Sequence, residues 1–324
     1  MSLLVIDAAT VQRLVSPAEC IAVTEAALRK TSDGRVHQDI RRTLALPGAD
    51  GTCLSLMYAA IDDLPLFGAK VQSVFPSNFD HGKPSHQGGV MLFEKDHGRP
   101  TALIDASAIT SLRTPAASAV ATRALSHEDA RELALIGYGD QAERHIEMIS
   151  LVRPISHIRV WGRDPVKANA FAARQRNLGR RADALPSAKE AVAGADIVCT
   201  VTSARTPVLM GEWLSPGTHI NAVGASVPSL QEIDLECVIR SSIWVDYMAM
   251  TLVAASDIFG PLAKGLVQIA GELGAVLSGA LPGRANADEI TLYRSLGVPA
   301  QDIALANLVY EKARATGLGT DISL

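Results

Sequence analysis

The spacing of apolar and polar positions changes rhythm at about residue 106. Before that point, Ser16-Pro17-Ala18-Glu19 marks one helix start. Ser16 is placed to cap, Pro17 suits the first helical position, and Glu19 completes a capping box, so a helix is expected to about Lys30. Short apolar runs follow at 42–46, 52–58, 66–73, 88–94 and 99–104, bounded by Gly, Pro, Asp or Asn. They predict an antiparallel meander. Beyond residue 106 strands are expected at 132–136, 157–161, 196–201, 218–223, 242–246 and 290–294. Helical segments at 140–152, 165–178 and about 300–316 are interspersed, a texture that predicts a doubly wound parallel sheet of α/β class. The helical segment 106–125 contains Arg113-Thr114-Pro115, where proline predicts a break. Thr114 would cap the new helix, whose exposed N–H groups would form an anion site.

A length of 324 residues suggests two domains. The net charge of -4 argues against a nucleic-acid protein, which carries a basic face. Although 48% of residues are apolar, no run approaches the roughly 18–20 residues of a membrane span. The opening MSLLVIDAATVQRLV has no basic region and is broken by Asp7, so no signal peptide is expected. Four scattered cysteines without a C-x-x-C pair read as reduced thiols of a cytoplasmic protein. The histidines form no ligand pattern, and no metal site is expected.

The segment 132–136 runs into Gly137-Tyr138-Gly139-Asp140-Gln141-Ala142 and then a helix. This is G-x-G-x-x-A in the strand-turn-helix setting that dinucleotide binding requires. Gly137 permits the tight turn, Gly139 lets a pyrophosphate approach, and Ala142 allows close helix packing. The second strand ends in Gly162-Arg163-Asp164-Pro165, without the acidic residue that NAD sites place there for the ribose. Arg163 is placed to meet a 2′-phosphate, while Asp164 caps the helix beginning at Pro165. The expected cofactor is NADPH or NADH, leaning to NADPH. Thr202 and Val223, at the ends of 196–201 and 218–223, complete the cofactor-binding set.

Three cations occupy positions where neutral residues would be favoured. Lys70 lies inside Leu66-Phe67-Gly68-Ala69-Lys70-Val71, Arg42 opens its strand, and Arg113 sits at the helix break. A buried cation requires an anionic partner, which leaves an internal ion pair or a receptor for a substrate carboxylate. His86, in Pro84-Ser85-His86-Gln87-Gly88-Gly89, is a candidate proton donor or substrate contact.

Several segments together resemble the ornithine cyclodeaminase/μ-crystallin family. They are Arg42-Thr43 with Leu56-Met57, Gly68-Ala69-Lys70-Val71, Pro76-Ser77-Asn78 and His86-Gln87-Gly88. The segments 110–116, 137–141 and 219–226, Ser295-Leu296-Gly297, Asp302 and 317–320 continue the series in order. The resemblance implies a homodimer whose α+β substrate and dimerisation domain comprises 1–113 plus 301–324. A Rossmann-type dinucleotide-binding domain, 114–300, would be inserted into it. It also implies that Lys70 and Arg113, with Arg42 beside them, bind a substrate carboxylate, and that Thr114 and the 137–141 turn hold the cofactor phosphates.

The chain departs from the cyclodeaminase pattern at two positions. Cyclodeaminases carry Asp where this chain has Ser226 and Glu where it has Ser55. Serine is a poor general base without a partner, and the Gly-Ala-Ser form resembles the ketimine-reductase branch. The reading is therefore NAD(P)H-dependent reduction of an α-imino acid such as Δ1-pyrroline-2-carboxylate or Δ1-piperideine-2-carboxylate. His86, or water held by Ser226, would manage the imine proton. Rival readings are a linear imino acid (iminosuccinate, or the imine of pyruvate as in an alanine dehydrogenase), ornithine cyclodeamination, and a non-catalytic NADPH- and ligand-binding protein. Arg41, Lys83 and His86 are the additional cations that a second carboxylate would use.

Overall fold

A computed structural model describes residues 2–47 and 51–323. The chain divides into two compact units, one of residues 1–113 with 298–324 and the other of 114–297. No helix among the described residues is long and apolar enough to cross a membrane.

In the first unit the strands are β1 (Ser2–Ile6), β2 (Val36–Gln38), β3 (Arg42–Ala45), β4 (Cys53–Ile61), β5 (Leu66–Val74), β6 (His86–Glu94) and β7 (Pro100–Asp105). From β3 to β7 each strand pairs antiparallel with the next, the expected meander. β1 adds in parallel beside β7, and the strand Thr320–Ser323 pairs antiparallel outside it. Residues directly opposite share a face, so pleat alternation sorts the side chains. Ser55, Met57, Ala59 and Ile61 of β4 are buried, as are Leu66, Gly68, Lys70 and Gln72 of β5. The intervening Leu54, Tyr58 and Val71 are exposed.

Two long helices belong to this unit. The helix Pro17–Ser32 has the predicted capping box, with Ser16 and Glu19 bonding reciprocally. The helix Pro299–Thr316 packs against β4, β5 and β6 and against the first helix. Asn307, 1% exposed, fixes its register. Its side chain accepts from Leu66 N at 3.3 Å and donates to Leu66 O at 3.2 Å, and it also bonds Ile303 O.

The second unit is a parallel sheet of eight strands. They are β8 (Glu132–Ile136), β9 (His157–Trp161), β10 (Ala182–Ala184), β11 (Ile197–Thr200), β12 (His219–Ala222), β13 (Ser241–Val245), β14 (Ile269–Glu272) and β15 (Ile290–Arg294). Their spatial order is β10-β9-β8-β11-β12-β15-β13-β14. Winding runs outward from β8 in one direction and then from β11 in the other, so the switch point lies between β8 and β11. Ligands of such sheets bind at the carboxyl ends of the strands at that point. β10 and β14 are not among the expected strands, and the three residues of β10 are too few to establish a period.

One expectation fails. The helix Ala106–Leu125 is continuous, with Pro115 inside it, and no new helix starts at Thr114. Proline removes one backbone donor, but Ala116, Ala117, Ala119, Val120 and Ala121 of the following turns are all fully buried. That packing outweighs one lost hydrogen bond. Thr114 is consequently mid-helix rather than a cap, and the anion site expected from free N–H groups there does not form.

Replacing Asn307 by Ala should strand the Leu66 backbone polar groups that it bonds. The expected loss is about 1–3 kcal/mol, read as a lower denaturation midpoint; an unchanged midpoint would refute this role.

Candidate active site

In the first unit, Lys70 and Arg113 converge on one carboxylate. Lys70 is 1% exposed and its Nζ lies 2.8 Å from Asp302 Oδ2. Arg113 is 5% exposed, and its Nε donates to Asp302 Oδ1 at 3.1 Å while Nη1 donates to Gln301 Oε1 at 3.3 Å. Lys70 also donates to Thr110 Oγ1 at 3.3 Å. Each group arrives from a rigid element. Lys70 is on the inner face of β5, Arg113 and Thr110 are on the helix Ala106–Leu125, and Asp302 is in the first turn of the helix Pro299–Thr316.

The charges are unequal. Two buried cations share one carboxylate, and the charge of Arg41 is also felt at Lys70 and His86. Burial pushes the Lys70 ammonium down to about 8, reinforced by Arg113 and Arg41 and opposed by Asp302. Asp302 is held below the usual carboxylate range because Lys70 and Arg113 outweigh the cost of its burial. His86 is exposed at the start of β6, and desolvation, then the charges of Lys70, Arg41 and Arg113, lower its pKa. Its imidazole is therefore neutral at pH 7. Ser55 Oγ and Gln301 Nε2 are buried without a hydrogen-bond partner among the described residues. Ser55 lies on the same sheet face as Lys70, one rung away, since Ser55 pairs with Gln72 and Met57 with Lys70.

Arg42 does not join this group. It stands opposite Leu56, on the outer face, and its exposed guanidinium pairs with Asp39, 2.5 Å away. Arg41, just ahead of β3, is close enough for its charge to act on Lys70 and His86. The expectation that Arg42 sits beside Lys70 and Arg113 is therefore not met. Asp302, reached from the sequence only through the resemblance, is an acidic residue in the otherwise uncharged run 299–309.

In the second unit, β8 leads into the glycine turn. Gly137 adopts φ +120°, and a Cβ there would approach Val201 O to 2.8 Å. Gly139 begins the helix Asp140–Ser150 without a side-chain cap, and a Cβ built on it meets nothing within 4 Å. The first-turn amides of Asp140 and Gln141 thus face open space, which fits a phosphate group. Gln141 Oε1 is buried and has no partner among the described residues. The Tyr138 ring covers Gly162, where a Cβ would come within 2.1 Å of it, and Tyr138 Oη accepts from Asp164 N at 3.3 Å. A side chain at 162 would displace the Tyr138 ring from this position. Arg163 is exposed, and Asp164 caps the helix Pro165–Asn177 as expected. Thr202 and Val223 follow β11 and β12 on the turns at the switch point, and Ser226 lies three residues further on, half-buried.

Comparison with known proteins places these features in a lineage. Residues 2–317 match the ornithine cyclodeaminase/mu-crystallin family. The chain is 37% identical to the Δ1-pyrroline-2-carboxylate reductase of Bacillus thuringiensis subsp. konkukian, over 99% of both chains. It is 36% identical to the ketimine reductase mu-crystallin of Mus musculus, over 89% of this chain and 90% of that one. The structure of Thermococcus litoralis Δ1-pyrroline-2-carboxylate reductase in complex with NADH and L-proline superposes with a TM-score of 0.95. It is 33% identical and covers 99% of this chain and all of that one. The chain belongs to the ornithine cyclodeaminase/mu-crystallin family.

Proposed function

We propose that this protein is an oxidoreductase that reduces the C=N bond of an α-imino acid, of the Δ1-pyrroline-2-carboxylate or Δ1-piperideine-2-carboxylate type, with a reduced nicotinamide dinucleotide. The observation that carries this reading is the buried surplus of positive charge around Asp302. An uncompensated buried charge is costly, and a substrate carboxylate removes the surplus when it binds. The Δ1-pyrroline-2-carboxylate reductases at 37% identity support the same reaction.

Lys70 and Arg113 hold the carboxylate, with Arg41 rather than Arg42 beside them, and so fix the imine carbon. A neutral His86 accepts a hydrogen bond from a protonated imine and keeps that proton on nitrogen, making the carbon a better hydride acceptor. Its Nδ1 is engaged by Ser85 Oγ at 2.9 Å, which orients the ring. The nicotinamide, when bound, supplies the hydride. Its phosphates are assigned to the Gly137–Gln141 turn, with Thr202 and Val223 bordering the cofactor; Thr114, inside a continuous helix, offers its side chain alone. Ser226 and Ser55 supply neither the base nor the second carboxylate of a cyclodeaminase, which favours reduction of an imine over cyclisation of a diamine.

NADPH is the preferred cofactor in this reading. Position 162 is a glycine covered by the Tyr138 ring and offers no ribose-binding acid, and the exposed Arg163 is available to a 2′-phosphate. The active form is a homodimer. Leu44, Leu54, Tyr58 and Val71 form an apolar outer face on neighbouring strands, with exposures of 63%, 41%, 38% and 40%. A cytoplasmic location fits the four free thiols, Cys20, Cys53, Cys199 and Cys237.

Lys70→Ala should lower kcat/KM for the cyclic imine by roughly 30-fold or more, corresponding to about 2–5 kcal/mol for one partner of a buried charge pair. With Lys70 near 8, the ammonium that binds carboxylate persists below that pH and is lost above it. The wild-type kcat/KM therefore declines as pH rises through about 8. Lys70→Arg should remove that alkaline limb, and an identical limb in both proteins would assign it elsewhere. Arg163→Ala should weaken NADPH about tenfold while leaving NADH unchanged, for loss of one charge-assisted contact; equal effects on both would contradict the NADPH assignment. Leu44→Asp with Val71→Asp should shift the particle mass by light scattering from dimer to monomer.

A further inference from the structure

The turns that follow β11 and β12 are gripped by two buried charges of opposite sign. Glu232 is 1% exposed, and its carboxylate collects five donors. Oε1 accepts from Thr202 N at 2.6 Å and from Thr202 Oγ1 at 2.8 Å. Oε2 accepts from Thr200 Oγ1 at 2.9 Å, Gly224 N at 2.7 Å and Ala225 N at 3.0 Å. The Glu232 backbone is itself anchored, because its carbonyl accepts from Val208 N and Leu209 N. On the other side Arg294, 1% exposed, donates to Ala222 O at 3.3 Å and to Ala225 O, while its Nε pairs with Asp257. The segment 222–225 thus gives amides to a carboxylate and carbonyls to a guanidinium. Gly224 leaves no alternative path, since a Cβ there would lie 2.0 Å from Thr202 O and 2.6 Å from Glu232 Oε1.

We infer that Glu232 is a positioning residue, with Arg294 as its counterpart, that locks the Thr202 turn and the Val223–Ser226 turn into one wall against which the nicotinamide cofactor binds. This rests on the reading of the glycine turn as a dinucleotide site and assigns Glu232 no contact with the reacting atoms. Three of its five donors are backbone N–H groups, which cannot reverse their polarity. A glutamine side chain would have to aim its NH2 at one of them, whichever way it turned. Glu232→Gln is therefore nearly isosteric but disrupts the wall, whereas Glu232→Asp keeps the charge with a shorter reach.

The test combines amide hydrogen exchange without cofactor, NADPH and NADH affinity by nicotinamide fluorescence, and separate KM values for cofactor and imine. In Glu232→Gln, exchange at Gly224 and Ala225 should accelerate about tenfold, and cofactor affinity should weaken about tenfold, as for loss of one buried hydrogen bond. The imine KM should stay within about twofold, a change worth well under the 1.4 kcal/mol of a tenfold shift. Glu232→Asp should recover part of the exchange protection and part of the affinity. Wild-type protection and affinity in Glu232→Gln would overturn the inference. Accelerated exchange spread over the whole second unit would also overturn it, since Glu232 would then be supporting the unit's general stability. If the wild-type protein binds nicotinamide but reduces no imine, the proposed reaction fails, while the exchange and affinity measurements still decide the role of Glu232.

Discussion

The first unit depends on a single buried carboxylate. Asp302 is fully buried, and it is the partner of both Lys70 and Arg113. Removing one member of a buried pair typically costs about 3–5 kcal/mol, and Asp302 compensates two cations at once. The requirement reaches into chain topology. Asp302 is delivered by the helix Pro299–Thr316, so the chain must return to the first unit after the whole parallel sheet has been built. Asn307, five residues along the same helix, fixes the returning helix to Leu66 at the start of the strand that carries Lys70. Helix register and charge pairing therefore specify each other.

The second unit solves a related problem with different chemistry. Its turns at the switch point carry exposed backbone donors where a ligand is expected and saturated donors next to them. At Gly139 the helix start is left without a side-chain cap. At Gly224 and Ala225 the amides are engaged by Glu232, that of Gly224 also by Thr200 O. Free amides give a turn its affinity for phosphate, while committed amides give its neighbours a fixed shape.

Long periodic elements were legible in the sequence, and parity was not. The meander, the strand order of alternation and the capping box at Ser16 follow from spacing and turn chemistry that act locally. Short strands such as β10 and β14 depend on neighbours already in place. Arg41 and Arg42 show the limit most clearly. Either residue satisfies the pattern of a cation at a strand start, but pairing of Arg42 with Leu56 turns it outward, and only cross-strand register contains that information. Pro115 marks the opposite limit, where a strong local rule yields to the burial of a whole helical turn. The glycine turn was readable because its residues are contiguous, whereas Asp302 and Glu232 act on partners remote in sequence.

The serine at position 55 ties the charge balance to the chemistry. Its hydroxyl is buried on the Lys70 face of the sheet. A glutamate there, as in cyclodeaminases, would bring a second carboxylate to the pair of cations. Lys70 and Arg113 would then be matched by Asp302 and the new acid, and the drive to bind a substrate carboxylate would fall. A diamino acid offsets that loss because its distal ammonium is attracted to the added acid. An imino acid with no second amine cannot, so its receptor must retain the positive surplus. Serine at 55 leaves two buried cations on one carboxylate.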